Sequence, residues 1–133
     1  IMCSQVDNPP VVSTPLAKQG PLLEERFQLA TLWTPSATSE PLLNNLERLW
    51  PLIEKHGIFL DIITNAMLLT PEVLDRILPR LHRLTLSIDS HKKEVFEKLR
   101  APADFERVVA HARHAASACH RAGVPVVFHM VLA

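Results

Sequence analysis

Two hydrophobic rhythms alternate along this chain. From Pro41 to His56 the apolar residues Leu42, Leu43, Leu46, Leu49, Trp50 and Ile53 recur every three or four positions, which predicts one buried face of a helix that Gly57 stops. Pro51 interrupts the pattern and predicts a kink, because an interior proline removes a backbone hydrogen bond. Ile58 to Thr64 is apolar apart from Asp61, as expected of a strand covered on both faces. Thr70-Pro71-Glu72 then supplies a capping hydroxyl, a proline at the first helical position and an acid in the first turn. Val73, Leu74, Ile77, Leu78 and Leu81 continue from it as the buried stripe of a helix. Arg83 to Asp89 alternates Leu84, Leu86 and Ile88 with Thr85 and Ser87, the period of a strand. A short helix from about His91 to Leu99 follows, with Val95, Phe96 and Leu99 inward, and Ala101-Pro102-Ala103 breaks it. Asp104 caps a long helix whose inward face carries Phe105, Val108, Val109, Ala112, Ala116 and Cys119. Gly123 ends that helix, and Val126 to Leu132 is the last strand.

Ahead of these elements, residues 1 to about 26 show little periodicity and read mainly as a loop-rich lead-in. Within it, Pro21 to Phe27 predicts a turn or two of helix that starts on the proline. Gln28 to Thr34 reads as a further strand, and Thr34 to Thr38 as the loop that leads to Glu40. Strands separated by helices form parallel sheets, so the fold class is α/β with about four parallel strands. All strand C-termini of such a sheet open onto one rim, which is where ligands bind. Glu40, Asn65, Ser87 and Asp89 stand at or just beyond strand ends, and His129 lies within the last strand. These are the candidate site residues.

Composition narrows the partners. A chain of 133 residues is one domain or part of one, and 47% hydrophobic content supports a core. Fourteen basic residues against fourteen acidic ones leave no net charge, which argues against a nucleic-acid footprint or attraction to a membrane surface. A small molecule or a protein is the expected partner. No run reaches the roughly 18 apolar residues of a spanning helix, and no charged-then-apolar secretory pattern opens the chain, so the expected location is cytoplasmic. With three glycines beside eleven prolines, no Gly-rich phosphate loop exists. The chain begins at Ile1 and stops inside an apolar strand pattern, so both ends read as cut.

Several short segments in order resemble the middle of radical S-adenosylmethionine enzymes. They are Thr64-Asn65-Ala66-Met67-Leu68-Leu69-Thr70-Pro71, Leu84-Thr85-Leu86-Ser87-Ile88-Asp89, Phe96-Glu97-Lys98-Leu99-Arg100 and Asp104-Phe105-Glu106-Arg107-Val108, and the likeness is strongest from Glu40 to Ala133. The resemblance implies a partial (β/α) TIM-type barrel, with residues 1–133 a fragment of a single core domain and residues 27–133 its β/α units. Ile1-Met2-Cys3 resembles the end of the family's C-x-x-x-C-x-x-C motif, which would make Cys3 the third ligand of a [4Fe–4S] cluster, with the first two cysteines upstream. Thiolates suit iron–sulfur clusters, and three of them leave one iron open. In the family that iron chelates S-adenosylmethionine, whose reductive cleavage gives a 5′-deoxyadenosyl radical that abstracts hydrogen from a substrate. The resemblance therefore implies a [4Fe–4S] cluster and S-adenosyl-L-methionine as cofactors, an electron donor protein, and a small-molecule or peptide substrate.

Each site residue also has a plainer reading. Glu40 matches the acid of the family's Gly-Gly-Glu segment, where a carboxylate meets the cofactor's amino group, yet Thr38-Ser39 stands in place of the glycines. Asn65 matches Thr-Asn-Gly with Ala66 in place of glycine; if that position needs a positive φ, alanine costs on the order of 1 kcal/mol. Ser87 and Asp89 are two apart and share a strand face, although Asp89 also suits a helix cap. Arg100 matches an arginine that reaches the cofactor carboxylate, and His129 occupies a position near the adenosine; their plain readings are a solvated helix end and a half-buried histidine. Cys119 is expected in the core. His111 and His114, three apart on one helix, have no carboxylate or thiol to complete a metal site and are expected on a solvated face. The fragment alone is expected to hold no cluster and turn nothing over. The competing class is a degenerate, non-catalytic binding or scaffold module, and a Cys-x-x-x-Cys segment directly before Ile1 would favour the enzyme.

Overall fold

The computed structural model describes residues 16–35, 40–43 and 46–130. Its elements in order are α1 (Leu16–Phe27), β1 (Leu32–Trp33), a 3-10 turn (Pro41–Leu43), α2 (Leu46–Lys55), β2 (Phe59–Thr64), α3 (Pro71–Ile77), a second 3-10 turn (Leu78–Arg80), β3 (Leu81–Ser87), α4 (Lys93–Leu99), α5 (Phe105–Ala122) and β4 (Val126–His129). The four strands form one parallel sheet in the order β1-β2-β3-β4. This is an open segment of a (β/α) barrel, with α2 crossing from β1 to β2, α3 from β2 to β3, and α4 with α5 from β3 to β4.

Local chemistry sets the boundaries. The Thr70 hydroxyl accepts the Val73 N–H at 3.4 Å and Pro71 opens α3, as predicted. Asp104 caps α5 by accepting the Arg107 N–H at 3.2 Å. Gly57 and Gly123 end α2 and α5 in the left-handed conformation, at φ of 64° and 71°. At Pro79 the expected helical stripe fails: α3 tightens into a 3-10 turn, and Leu81 starts β3 two residues before the predicted Arg83. α2 runs through Pro51 without breaking, the proline lying on its exposed side.

Three further expectations are corrected. The lead-in is helical from Leu16, so Pro21 lies inside α1 and does not start it. The strand expected over Gln28–Thr34 contracts to two residues, because the chain from Phe27 closes α1 with turns at Leu29 and Ala30 before it meets β2. β2 is covered on one face only. Leu60, Ile62 and Thr64 lie under the helices with Leu84 and Leu86 of β3, all essentially inaccessible, whereas Phe59 and Ile63 on the other face are 44% and 40% exposed.

That other face would line the barrel. The register shift between Leu60 and Asp61 lets Asp61 stand opposite Arg83, after which Ile63 aligns with Thr85 and Val127, and Ser87 with His129. The inner face is thus layered, with an ion pair at its N-terminal end, Thr85 between the aliphatic Ile63 and Val127 midway, and polar groups at the strand exits. On the outer side, α5 buries Val108, Ala112, Ala115, Ala118 and Cys119; Val109 and Ala116, expected on that stripe, are half-buried at its margins. Phe96 and Phe105 join α4 to α5 with ring centroids 5.4 Å apart.

Gly123 isolates the conformational cost of a left-handed cap, since a Cβ there meets no atom within 4 Å. Gly123→Ala is expected to lower stability by about 1 kcal/mol through backbone strain alone, read as a shift in urea midpoint at unchanged slope.

Candidate functional site at the strand exits

The exit of β2 is the best-organised part of the rim. Thr64, the last residue of β2, is buried, and its hydroxyl cannot meet water. It donates to Glu40 Oε1 at 2.6 Å and accepts the Ala66 N–H at 3.1 Å. Glu40 Oε2 accepts the Asn65 N–H at 3.0 Å, and Oε1 lies 3.5 Å from the Leu42 N–H. Asn65 Oδ1 accepts the Met67 N–H at 3.0 Å. One carboxylate therefore ties the segment after β1 to the turn after β2. Ala66 has a φ of 62°, so the position does demand the left-handed conformation, and alanine adopts it while fully buried. Its carbonyl receives His111 Nδ1 at 2.8 Å.

At the exit of β3, Ser87 is half-buried and stands in register with His129 of β4, whose carbonyl accepts the Ile88 N–H at 3.0 Å. Asp89 is 8% exposed and accepts a hydrogen bond from Arg100 Nε. The two residues expected to face the cofactor separately are partners, a charge-assisted contact that satisfies a buried carboxylate. Glu40, Asn65, Ser87, Asp89 and His129 all belong to the C-terminal edge of the sheet, and Arg100 joins them through Asp89. His129 is exposed.

Two contributors escaped the sequence reading. Thr64 closes an apolar strand directly before an asparagine, and a buried hydroxyl there needs partners on the exit turn. His111 was expected on a solvated face; instead it is half-buried and bonded to Ala66, while His114 is exposed. The signal was its spacing, three after Val108 and four before Ala115 on the buried stripe of α5.

Away from the rim, Arg83 donates through Nε to Asp61 Oδ1 at 3.1 Å and through Nη2 to Oδ2, which raises the guanidinium's pKa, by that hydrogen bond first and by the carboxylate's charge second. This pair satisfies the buried Asp61 at the N-terminal end of the inner face. Cys119 is buried as expected, and burial pushes its thiol pKa up. Cys3 lies outside the described residues. Among the described residues no group of three or more His, Cys, Asp or Glu side chains is placed to hold a metal ion, and no helix is long and apolar enough to cross a membrane.

No protein-family model matches the chain, and no curated protein is similar to it. Among solved structures it is similar to native anSMEcpe with bound AdoMet and Kp18Cys peptide, with a TM-score of 0.54 and 21% identity over 83% of this chain. The chain spans 33% of the length of that protein. At this identity the likeness is one of fold.

Glu40→Ala is expected to cost about 2 kcal/mol in urea unfolding, because it strands the buried Thr64 hydroxyl and the Asn65 N–H. In a Cys3→Ser variant, Cys119 is expected to react with a maleimide at least about tenfold more slowly in the folded chain than in urea, since burial both shields the thiol and suppresses the thiolate.

Proposed function

We propose that this chain is the central part of a radical S-adenosylmethionine enzyme and that its strand exits form one wall of the S-adenosylmethionine site. The observation that carries the reading is the gathering of Glu40, Asn65, Ser87, Asp89 and His129 on the C-terminal edge of one parallel sheet, in a fold shared with a structure that holds AdoMet. The ordered motifs around Asn65, Ser87 and Arg100 support the same reading.

In this reading the chain binds and orients. Glu40 keeps acceptor capacity after receiving the Asn65 N–H and the Thr64 hydroxyl, because a carboxylate oxygen accepts more than one hydrogen bond, and its charge favours the cofactor's ammonium. Asn65 presents its backbone at the turn, Ser87 offers a hydroxyl to the ribose or the carboxylate of the cofactor, and His129 flanks the adenosine. Arg100 is drawn toward the rim by Asp89, from which its remaining N–H groups address the cofactor carboxylate. A [4Fe–4S] cluster, with Cys3 as the one ligand this chain would contribute, would supply reducing power at the rim when bound. The substrate is a small molecule or a peptide; the AdoMet-bound neighbour also holds a peptide.

The same contacts favour a second reading. Glu40 and Asp89 are both satisfied within the chain, as a non-catalytic module that kept only the fold would have them.

Equilibrium dialysis with labelled S-adenosylmethionine separates the two. Saturable uptake that S-adenosylhomocysteine displaces, weakened about tenfold by Ser87→Ala as one lost polar contact allows, is expected of the enzyme. Uptake that does not saturate would leave the module. With two cysteines in the chain, one buried, iron and sulfide analysis after anaerobic reconstitution is expected to find no [4Fe–4S] cluster on the chain alone.

A further inference from the structure

Among the described residues, Ala66 is the non-glycine residue with φ in the left-handed region. A Cβ makes that conformation unfavourable, so something outside the residue must hold it. The turn's N–H groups are held from its own side: Asn65 N–H by Glu40, Ala66 N–H by Thr64, Met67 N–H by Asn65. The Ala66 carbonyl is held from across the fold. His111, 45 residues later on α5, meets it at 2.8 Å, closer than the local Leu69 N–H at 3.3 Å. A carbonyl only accepts, so the proton of this bond is on His111 Nδ1.

We propose that His111 is a positioning residue: its Nδ1–H, donated to the Ala66 carbonyl, keeps Ala66 left-handed and thereby fixes the Asn65 backbone at the rim. α5 thus acts on the strand exit without touching any ligand. The chemistry of the contact is simple. Releasing the carbonyl lets the turn relax toward ordinary backbone angles, which rotates the peptide between Asn65 and Ala66 and loosens the Ala66 N–H from the Thr64 hydroxyl. The consequence for cofactor binding rests on the function proposed above; the consequence for the turn does not.

The test compares His111→Ala, His111→Asn, Ala66→Gly and the double variant Ala66→Gly/His111→Ala, reading amide hydrogen exchange at residue 66 and throughout β2 and α5. Loss of one such bond is expected to speed exchange of the residue 66 amide about tenfold in His111→Ala. Asparagine, which can place an N–H near the Nδ1 position, restores slow exchange. Glycine at residue 66 needs no holding, so the double variant also restores it. Unchanged exchange at residue 66 in His111→Ala overturns the proposal, as does faster exchange spread evenly over α5 that Ala66→Gly fails to rescue, which is the mark of lost packing. If His111→Ala does not fold, a folded double variant supports the proposal and an unfolded one overturns it. Dialysis with S-adenosylmethionine on the same set adds the functional arm: weaker uptake in His111→Ala, recovered in the double variant. No uptake by the unaltered chain counts against the proposed function, and the exchange pattern still decides the role of His111.

Discussion

A single carboxylate holds the rim together. Strand β1 is two residues long and contributes little ladder of its own, so the segment that follows it needs another anchor. Glu40 supplies it by receiving both the buried Thr64 hydroxyl and the Asn65 N–H from the end of β2. Without that contact a hydroxyl and an amide would lose their partners near the core, at a cost larger than a surface ion pair returns. The position of the β2 exit, and through it Ala66 and His111, depends on this bridge.

The periodic elements were legible in the residues. Thr70-Pro71-Glu72, Asp104 and Gly123 mark their boundaries because capping is decided by a few local atoms, and the structure keeps all three. The likeness in fold to an AdoMet-bound structure agrees with the partial barrel that the ordered motifs implied. What escaped was decided by contacts distant in sequence. Nothing near Asp61 announces that it pairs with Arg83, because that depends on a register shift between β2 and β3. Nothing near Asp89 announces Arg100 either, since a helix start intervenes. His111 was misread because its neighbour three positions on, His114, does face solvent, and the pair was weighed as a unit.

The candidate site shows a similar division. The sheet topology brings its members to one edge, which alternation and strand order could anticipate. Which of them still have unused donors and acceptors depends on side-chain partners that no pattern predicts. Glu40 and Asp89 each meet a partner within the chain, Ser87 and His129 sit side by side in register, and Thr64, absent from the original set, proves to be the hinge of the hydrogen-bond network.

The layering of the inner face carries a last implication. Descending from Ser87 and His129, the wall passes Thr85 between the alkyl groups of Ile63 and Val127, then the guanidinium of Arg83 clamped to Asp61. Polarity therefore eases at mid-depth, where one hydroxyl stands between two alkyl groups, and returns in full at the ion pair. A surface graded in this way keeps a hydrogen-bonding group at every level, so its middle offers no purely oily resting place.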